Sequence, residues 1–283
     1  MKQARMDGAF GAIVTDIDVR TLDDDAMCAI AQLLYEQRIV VIRGQDLDHA
    51  SYVEFGRRWG KPIDFLSKKN TLAEFPEIIV QSNSAATPGI LHNNASHWHC
   101  DSSYEPVPAA VTMLYGVVSP SQGGVTLFAD LIGAYRTLDE QTRERIETLE
   151  ARHMPGRGKV AQGETMIRYD TMPDELRENA DRWGPVTHPL VRTHPVNGAK
   201  GLYGLGGTPF EVPGMELEDG LALIARLKAH ATQDRYVQGY KLMPGDVLLW
   251  DNLAVMHRAT PIDYSDAPAD RRLNYRILSL IHI

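Results

Sequence analysis

The feature that most constrains the fold is a succession of short apolar runs, each closed by a turn signal. Arg38-Ile39-Val40-Val41-Ile42-Arg43-Gly44 is a β-branched run ended by glycine, and reads as a strand buried on both faces. Ile78 to Val80, Ala109 to Val118, Val125 to Ala129, His188 to Thr193, Gly201 to Gly204, Tyr236 to Leu242, Asp246 to Asp251 and Leu273 to Ile283 read as further strands. Ser119-Pro120-Ser121-Gln122-Gly123-Gly124 and Pro244-Gly245 supply turns between them. Ala12-Ile13-Val14 followed by Asp16 to Val19 opens the chain as a short strand or hairpin.

Helical spacing interrupts this pattern at a few places. Thr21 can cap a helix whose first turn carries Asp23, Asp24 and Asp25 and whose inner face carries Met27, Ile30, Leu33 and Leu34. Asp48 to Trp59, Leu131 to Leu138, Asp139 to Leu149 and Glu216 to Ala231 are further helices. Strands and helices do not alternate steadily, and no fixed-period repeat is present. A mainly β sandwich or barrel with added helices is therefore expected. Arg152 to Pro185 has Gly156, Gly158, Gly163, many charges and little periodicity; it reads as a lid inserted in a single domain covering residues 1–283.

Bulk properties narrow the function. A hydrophobic fraction of 43% suits a globular core, and a net charge of −8 gives a nucleic-acid partner no electrostatic support. No apolar run approaches the roughly 18 residues of a membrane span. Met1 to Asp7 lacks the apolar core of a signal peptide, and Cys28 and Cys100 cannot build a disulfide framework. A soluble cytoplasmic protein is expected.

The chemistry concentrates at Ser96-His97-Trp98-His99-Cys100-Asp101-Ser102-Ser103-Tyr104. Read as an extended strand, this stretch turns His99 and Asp101 to the same side. One more imidazole would complete a two-histidine, one-carboxylate face around a metal, the arrangement of non-haem Fe(II) oxygenases. His257, after Gly245-Asp246-Val247-Leu248-Leu249-Trp250-Asp251-Asn252, supplies it. Arg272 and Arg276 follow on the last strand, and a guanidinium can clasp a carboxylate with two parallel hydrogen bonds.

Four stretches in order carry a resemblance: Val41-Ile42-Arg43-Gly44-Gln45, Trp98-His99-Cys100-Asp101, Gly123-Gly124-Val125-Thr126-Leu127-Phe128, and Trp250-Asp251-Asn252 with His257. From about Gly8 to Ile281 the chain resembles the taurine dioxygenase / 2,4-dichlorophenoxyacetate dioxygenase family. The resemblance implies a double-stranded β-helix, a cupin-like jelly-roll barrel flanked by helices. It implies Fe(II), 2-oxoglutarate and O2 as cofactors, with His99, Asp101 and His257 as iron ligands. It places Arg276 and Thr126 on the distal carboxylate of 2-oxoglutarate, and Arg272 near the cosubstrate and substrate carboxylates. The implied reaction hydroxylates a substrate C–H bond and releases succinate and CO2.

Lys68, in Phe65-Leu66-Ser67-Lys68-Lys69-Asn70, and Ser103 are the expected substrate contacts. The phrases Trp98 to Tyr104 and Trp183 to Pro195 are closer to the aryloxyacetate-cleaving members than to the taurine members. A small organic acid, aryloxyalkanoate-like and cleaved at its ether after hydroxylation, is the expected substrate. Alternatives are a sulfonate such as taurine, a zinc hydrolase built on the same three side chains, or a non-catalytic small-acid sensor. Family relatives imply a homo-oligomer, dimer or tetramer.

Overall fold

The computed structural model describes residues 1–63, 70–84, 96–158, 168–172 and 174–280. Its strands are β1 (Lys2–Arg5), β2 (Ala12–Thr15), β3 (Ile39–Ile42), β4 (Ile79–Ser82), β5 (Val111–Val118), β6 (Val125–Asp130), β7 (Glu150–His153), β8 (Val186–Pro189), β9 (Val191–Thr193), β10 (Lys200–Leu202), β11 (Pro209–Glu211), β12 (Val237–Lys241), β13 (Val247–Asp251), β14 (Val255–Ala259) and β15 (Leu273–Ser279). Its helices are α1 (Asp24–Gln37), α2 (His49–Arg57), α3 (Leu131–Arg136), α4 (Glu140–Ile146), α5 (Asp174–Asp181) and α6 (Leu217–Ala231).

Two sheets face each other as a jelly roll. The larger runs β1-β2-β3-β13-β5-β15-β4 and the smaller β12-β6-β14. All pairings in them are antiparallel except β2 with β3. Alternation along each strand sorts the side chains. Val40 and Ile42 of β3, Val247 and Leu249 of β13, and Met113 and Tyr115 of β5 pack outward under α1 and α2. Ile39, Val41, Leu248, Trp250 and Leu114 point inward and meet Phe128, Tyr240 and Val255 of the smaller sheet. That explains the continuous apolar run at Ile39–Ile42: both faces are covered. Each such side chain, fully buried, contributes about 1.5–3 kcal/mol. The outer face of the smaller sheet packs Met256 and Ala129 against Leu131, Leu223, Leu227 and Tyr203.

The element boundaries depart from the sequence pattern in instructive ways. α1 starts at Asp24, capped by the Asp23 carboxylate on the Ala26 N–H at 2.8 Å; Thr21 instead ends a 3₁₀ turn capped by Asp18. Asp23 lies closer to the first helical residue than Thr21 does, and its carboxylate takes the cap. The expected strand His188–Thr193 splits at Leu190. There the Leu190 N–H donates to the Leu149 carbonyl and its own carbonyl accepts from Tyr203 N–H, so the chain changes partners. Of the expected lid, Arg152 and His153 end β7 and Asp174–Asp181 form α5, while residues 159–167 lie outside those described. Among the described residues no helix is long and apolar enough to cross a membrane.

Candidate metal and anion centre

His99 and His257 are far apart in sequence yet sit directly opposite one another. The His99 N–H donates to the His257 carbonyl at 3.0 Å and the His257 N–H to the His99 carbonyl at 2.8 Å, a hydrogen-bonded antiparallel pair. Their side chains leave on the same side, with ring centroids 4.2 Å apart. The bridge at His99 is not continued as a strand: the chain turns from Asp101 onwards, with Ser102 in the left-handed region at φ 52°. Asp101 still meets both imidazoles. Its Oδ1 lies 3.7 Å from His99 Nε2 and 3.6 Å from His257 Nε2. His99, Asp101 and His257 form the one such cluster of potential metal ligands among the described residues.

The donor set suits a metal ion. The Nδ1 of His99 lies 2.8 Å from the His97 carbonyl, so it carries the proton and leaves the Nε2 lone pair facing the cluster. Asp101 Oδ2 accepts a hydrogen bond from Thr112 Oγ1 at 2.8 Å, which leaves Oδ1 on the side of the imidazoles. Burial, opposed by the Asp101 carboxylate, pulls His99 down to about 3 and His257 to about 4, so both imidazoles are neutral near pH 7. Burial alone would raise Asp101. The Arg276 guanidinium, helped by the Thr112 hydrogen bond, outweighs it and holds the carboxylate ionised, below the ordinary range. Two neutral imidazoles and one carboxylate, with mutual spacings under 4.8 Å, can close on one ion with ligand bonds of about 2.0–2.2 Å.

The surroundings are apolar on one side and cationic on the other. His257 packs on Trp250 at 4.7 Å and on Phe128 at 6.1 Å between centroids. Thr126 shares the inward face of β6 with Phe128 and pairs with Tyr240 and Ala259. Arg276, buried on the inward face of β15, ion-pairs with Asp101 Oδ1. Arg272, at the entry of the same strand, is largely buried and has no carboxylate partner among the described residues; burial lowers its guanidinium to about 10, still cationic at neutral pH. Asn83 fixes the backbone beside it: Arg272 N–H donates to Asn83 Oδ1 at 2.7 Å, and Asn83 Nδ2 donates to the Asp263 and Asp270 carbonyls, each at 2.9 Å.

Of the two expected substrate contacts, only Ser103 is among the described residues. Lys68 lies outside the described residues. Ser103 is fully buried, and its hydroxyl is 2.8 Å from Thr208 Oγ1, which is 2.9 Å from His153 Nδ1. Strand alternation would have aligned Ser103 with Asp101, but the turn at Ser102 breaks that alternation. Thr112 and Asn83 were not singled out by the sequence pattern, and Asn252 only as part of Trp250-Asp251-Asn252. The one signal for Thr112 is a lone hydroxyl inside the apolar run Ala109 to Leu114.

The model of the taurine catabolism dioxygenase TauD, TfdA family matches residues 2–278. The chain belongs to that family. It is 34% identical over 262 residues to the (S)-phenoxypropionate/alpha-ketoglutarate-dioxygenase of Sphingobium herbicidovorans, covering 92% of this chain and 89% of that protein. It is 32% identical over 270 residues to the alpha-ketoglutarate-dependent 2,4-dichlorophenoxyacetate dioxygenase of Cupriavidus pinatubonensis, covering 90% and 91%. Among solved structures it resembles AAD-2 in complex with Mn(II) and N-oxalylglycine, with a TM-score of 0.78, 27% identity, and coverage of 100% of this chain and 99% of that one. A taurine dioxygenase from Burkholderia xenovorans gives a TM-score of 0.80 at 26% identity, covering 100% and 90%. The jelly roll that the resemblance implies is the fold observed, and it is a form of the β sandwich with added helices read from the strand pattern. As a member of the family, the protein is a 2-oxoglutarate-dependent dioxygenase that uses Fe(II) and O2 on a small organic substrate.

Proposed function

We propose that the substrate is an aryloxyalkanoate-like organic acid, hydroxylated on the carbon that bears the ether oxygen. The observation that carries this reading is a pair of buried guanidiniums: Arg276 on β15, in contact with the His99–Asp101–His257 cluster, and Arg272 just before that strand. Two anionic partners, a cosubstrate and an acid substrate, would occupy two cations. The similarity to phenoxypropionate and 2,4-dichlorophenoxyacetate dioxygenases supports the same class. A sulfonate or sulfate ester is the alternative head group, supported by a 28% identical sulfate ester dioxygenase of Pseudomonas putida.

His99 Nε2, His257 Nε2 and Asp101 Oδ1 would hold the iron. When bound, Fe(II) with 2-oxoglutarate supplies the oxidant: O2 is reduced, one oxygen atom enters succinate as CO2 leaves, and the other enters the substrate C–H bond. The chain's residues position and shield the reactants. Arg276 touches Asp101 and so stands level with the metal ligands. Arg272 lies four residues earlier, just before β15, roughly 13 Å of extended chain away, and an arginine side chain spans part of that gap. This spacing favours Arg272, with Thr126, for the distal carboxylate of 2-oxoglutarate. It favours Arg276 for the carboxylate of the substrate. The resemblance instead implies Arg276 on the cosubstrate, and the KM of each variant distinguishes the two assignments. Trp250 and Phe128 give the metal cluster an apolar wall against His257 that would exclude water. Hydroxylation next to an ether oxygen makes a hemiacetal. It loses its hydroxyl proton as the carbon–aryloxy bond breaks, the electron pair leaving with the phenol and a 2-oxo acid remaining.

The test is a steady-state assay of phenol and succinate release. Phenoxyalkanoates should be turned over and taurine should not; turnover of taurine alone would overturn the substrate reading. Arg272→Gln should raise the KM for 2-oxoglutarate, and Arg276→Gln the KM for the acid. The reverse pattern would exchange the two roles. The reading also includes a homo-oligomer working in the reducing cytoplasm, and light scattering at micromolar concentration tests the first: a monomer mass would exclude it.

A further inference from the structure

Behind the carboxylate of Asp101 runs a chain of three buried polar groups whose direction is fixed from its far end. Trp250 Nε1–H can only donate, and it donates to Asn252 Oδ1 at 2.9 Å. That assigns the Asn252 amide: the oxygen faces the indole, so Nδ2 donates outward, to Thr112 Oγ1 at 2.7 Å. A hydroxyl that already accepts from the amide has its proton free to give, and the acceptor in reach is Asp101 Oδ2 at 2.8 Å. The Asp101 backbone N–H also reaches Asn252 Oδ1, at 3.4 Å. Trp250, Asn252, Thr112 and Asp101 are each at most 4% exposed, so water does not compete for these bonds.

The fold holds this chain rigidly. Trp250 and Thr112 are direct cross-strand partners on β13 and β5, and Thr112 is flanked on its other side by Leu278 of β15. Asn252 starts the turn after β13, and its own N–H is tied to the Ala110 carbonyl at 2.8 Å. The inward-facing neighbours on β13 and β5 are apolar, so Thr112 spends the one inward-facing hydroxyl of its strand on one carboxylate oxygen.

Resting on the metal reading above, we propose that Thr112 is a positioning residue, aimed by Asn252 and Trp250. It binds the outer oxygen of Asp101 so that the carboxylate offers a metal Oδ1 alone. A free Oδ2 could swing inward and take a second coordination position. Thr112 keeps that position open for the ligands of the reaction. Outer partners of this kind set ligand orientation, and their loss commonly lowers metal affinity about 10–100-fold.

The experiment uses Co(II) alone with the full chain, read by calorimetry and by the visible absorption of the bound ion. Thr112→Val keeps the shape and removes the donor; Thr112→Ser restores it. Thr112→Val should bind Co(II) about 10–100-fold more weakly and with a changed spectrum. Thr112→Ser should match the wild type in both. Metal-free thermal melts check that each variant is folded. A folded Thr112→Val with wild-type affinity and spectrum would overturn the proposal, as would equal weakening in the serine variant. If the valine variant does not fold, Trp250→Phe decides: it frees the Asn252 amide to flip, and unchanged Co(II) affinity and spectrum would overturn the relay. A wild-type protein that binds no Co(II) removes the metal reading itself, and the proposal with it.

Discussion

Replacing Asn83 with alanine separates the role of Arg272 from that of the fold. Asn83 is 1% exposed, and its amide makes three hydrogen bonds to backbone: from Arg272 N–H at 2.7 Å and to the Asp263 and Asp270 carbonyls at 2.9 Å. At about 1 kcal/mol net per bond the loss is about 3 kcal/mol. Asp263 and Asp270 are exposed, so water can replace two of these partners and the cost falls towards about 2 kcal/mol. For a chain of this size that lowers the melting temperature by about 4–8 °C. The loop from Asp263 to Arg272 is then held less firmly, and the Arg272 guanidinium with it. If Arg272 receives the distal carboxylate of 2-oxoglutarate, the KM for 2-oxoglutarate rises about 10-fold, equivalent to about 1.4 kcal/mol. The KM for the acid substrate should stay within about two-fold. The assays are a thermal melt and two KM determinations at fixed iron. A melt lowered as expected with an unchanged KM for 2-oxoglutarate would refute the link, leaving Asn83 as a staple of the fold alone.

Two further outcomes follow from the same geometry. Burial lifts Glu105 to about 7, with Arg182 opposing, so the folded state holds its proton more tightly than the unfolded chain does. Stability from this group is therefore lost as pH rises from about 4.5 to about 7. Glu105→Gln should gain about 1–2 kcal/mol over the wild type at pH 8, the value reduced for partial exposure, and little at pH 4; an equal difference at both pH values would contradict this. At Gly206 an added Cβ would overlap the Trp98 carbonyl oxygen, and at Gly207 (φ 81°) it would stand 2.6 Å from His97 Nε2. Because backbone cannot yield as a side chain can, Gly206→Ala should cost at least about 1–3 kcal/mol and weaken metal binding by displacing the His99 backbone; an unperturbed melt and affinity would show that the two segments do not rely on each other.

Much of the centre was legible in the sequence because a few side chains carry it. His-x-Asp, the later histidine and the two late arginines keep their chemistry whatever the local backbone does. The strand pattern at Ile39–Ile42 and Val247–Asp251 was equally plain, since burial on both faces demands apolar residues throughout. Ser103 was misaligned because alternation was carried past Ser102, whose positive φ ends the extended backbone. β1 escaped notice because its four residues, Lys2–Arg5, are all exposed and carry no periodic apolar signal. Thr112, Asn252 and Asn83 matter through partners distant in sequence. Such pairings exist only once β5, β13 and β15 lie side by side.

The measurement that bears most directly on the central claim is an anaerobic titration of the purified protein with Fe(II) and 2-oxoglutarate, followed by visible absorption. A metal-to-ligand charge-transfer band should appear in the wild type, be lost in His99→Ala, and shift on adding an aryloxyalkanoate but not taurine. Folded, iron-loaded wild-type protein that shows no band with 2-oxoglutarate would contradict the assignment of His99, Asp101 and His257 as the centre of a 2-oxoglutarate-dependent dioxygenase.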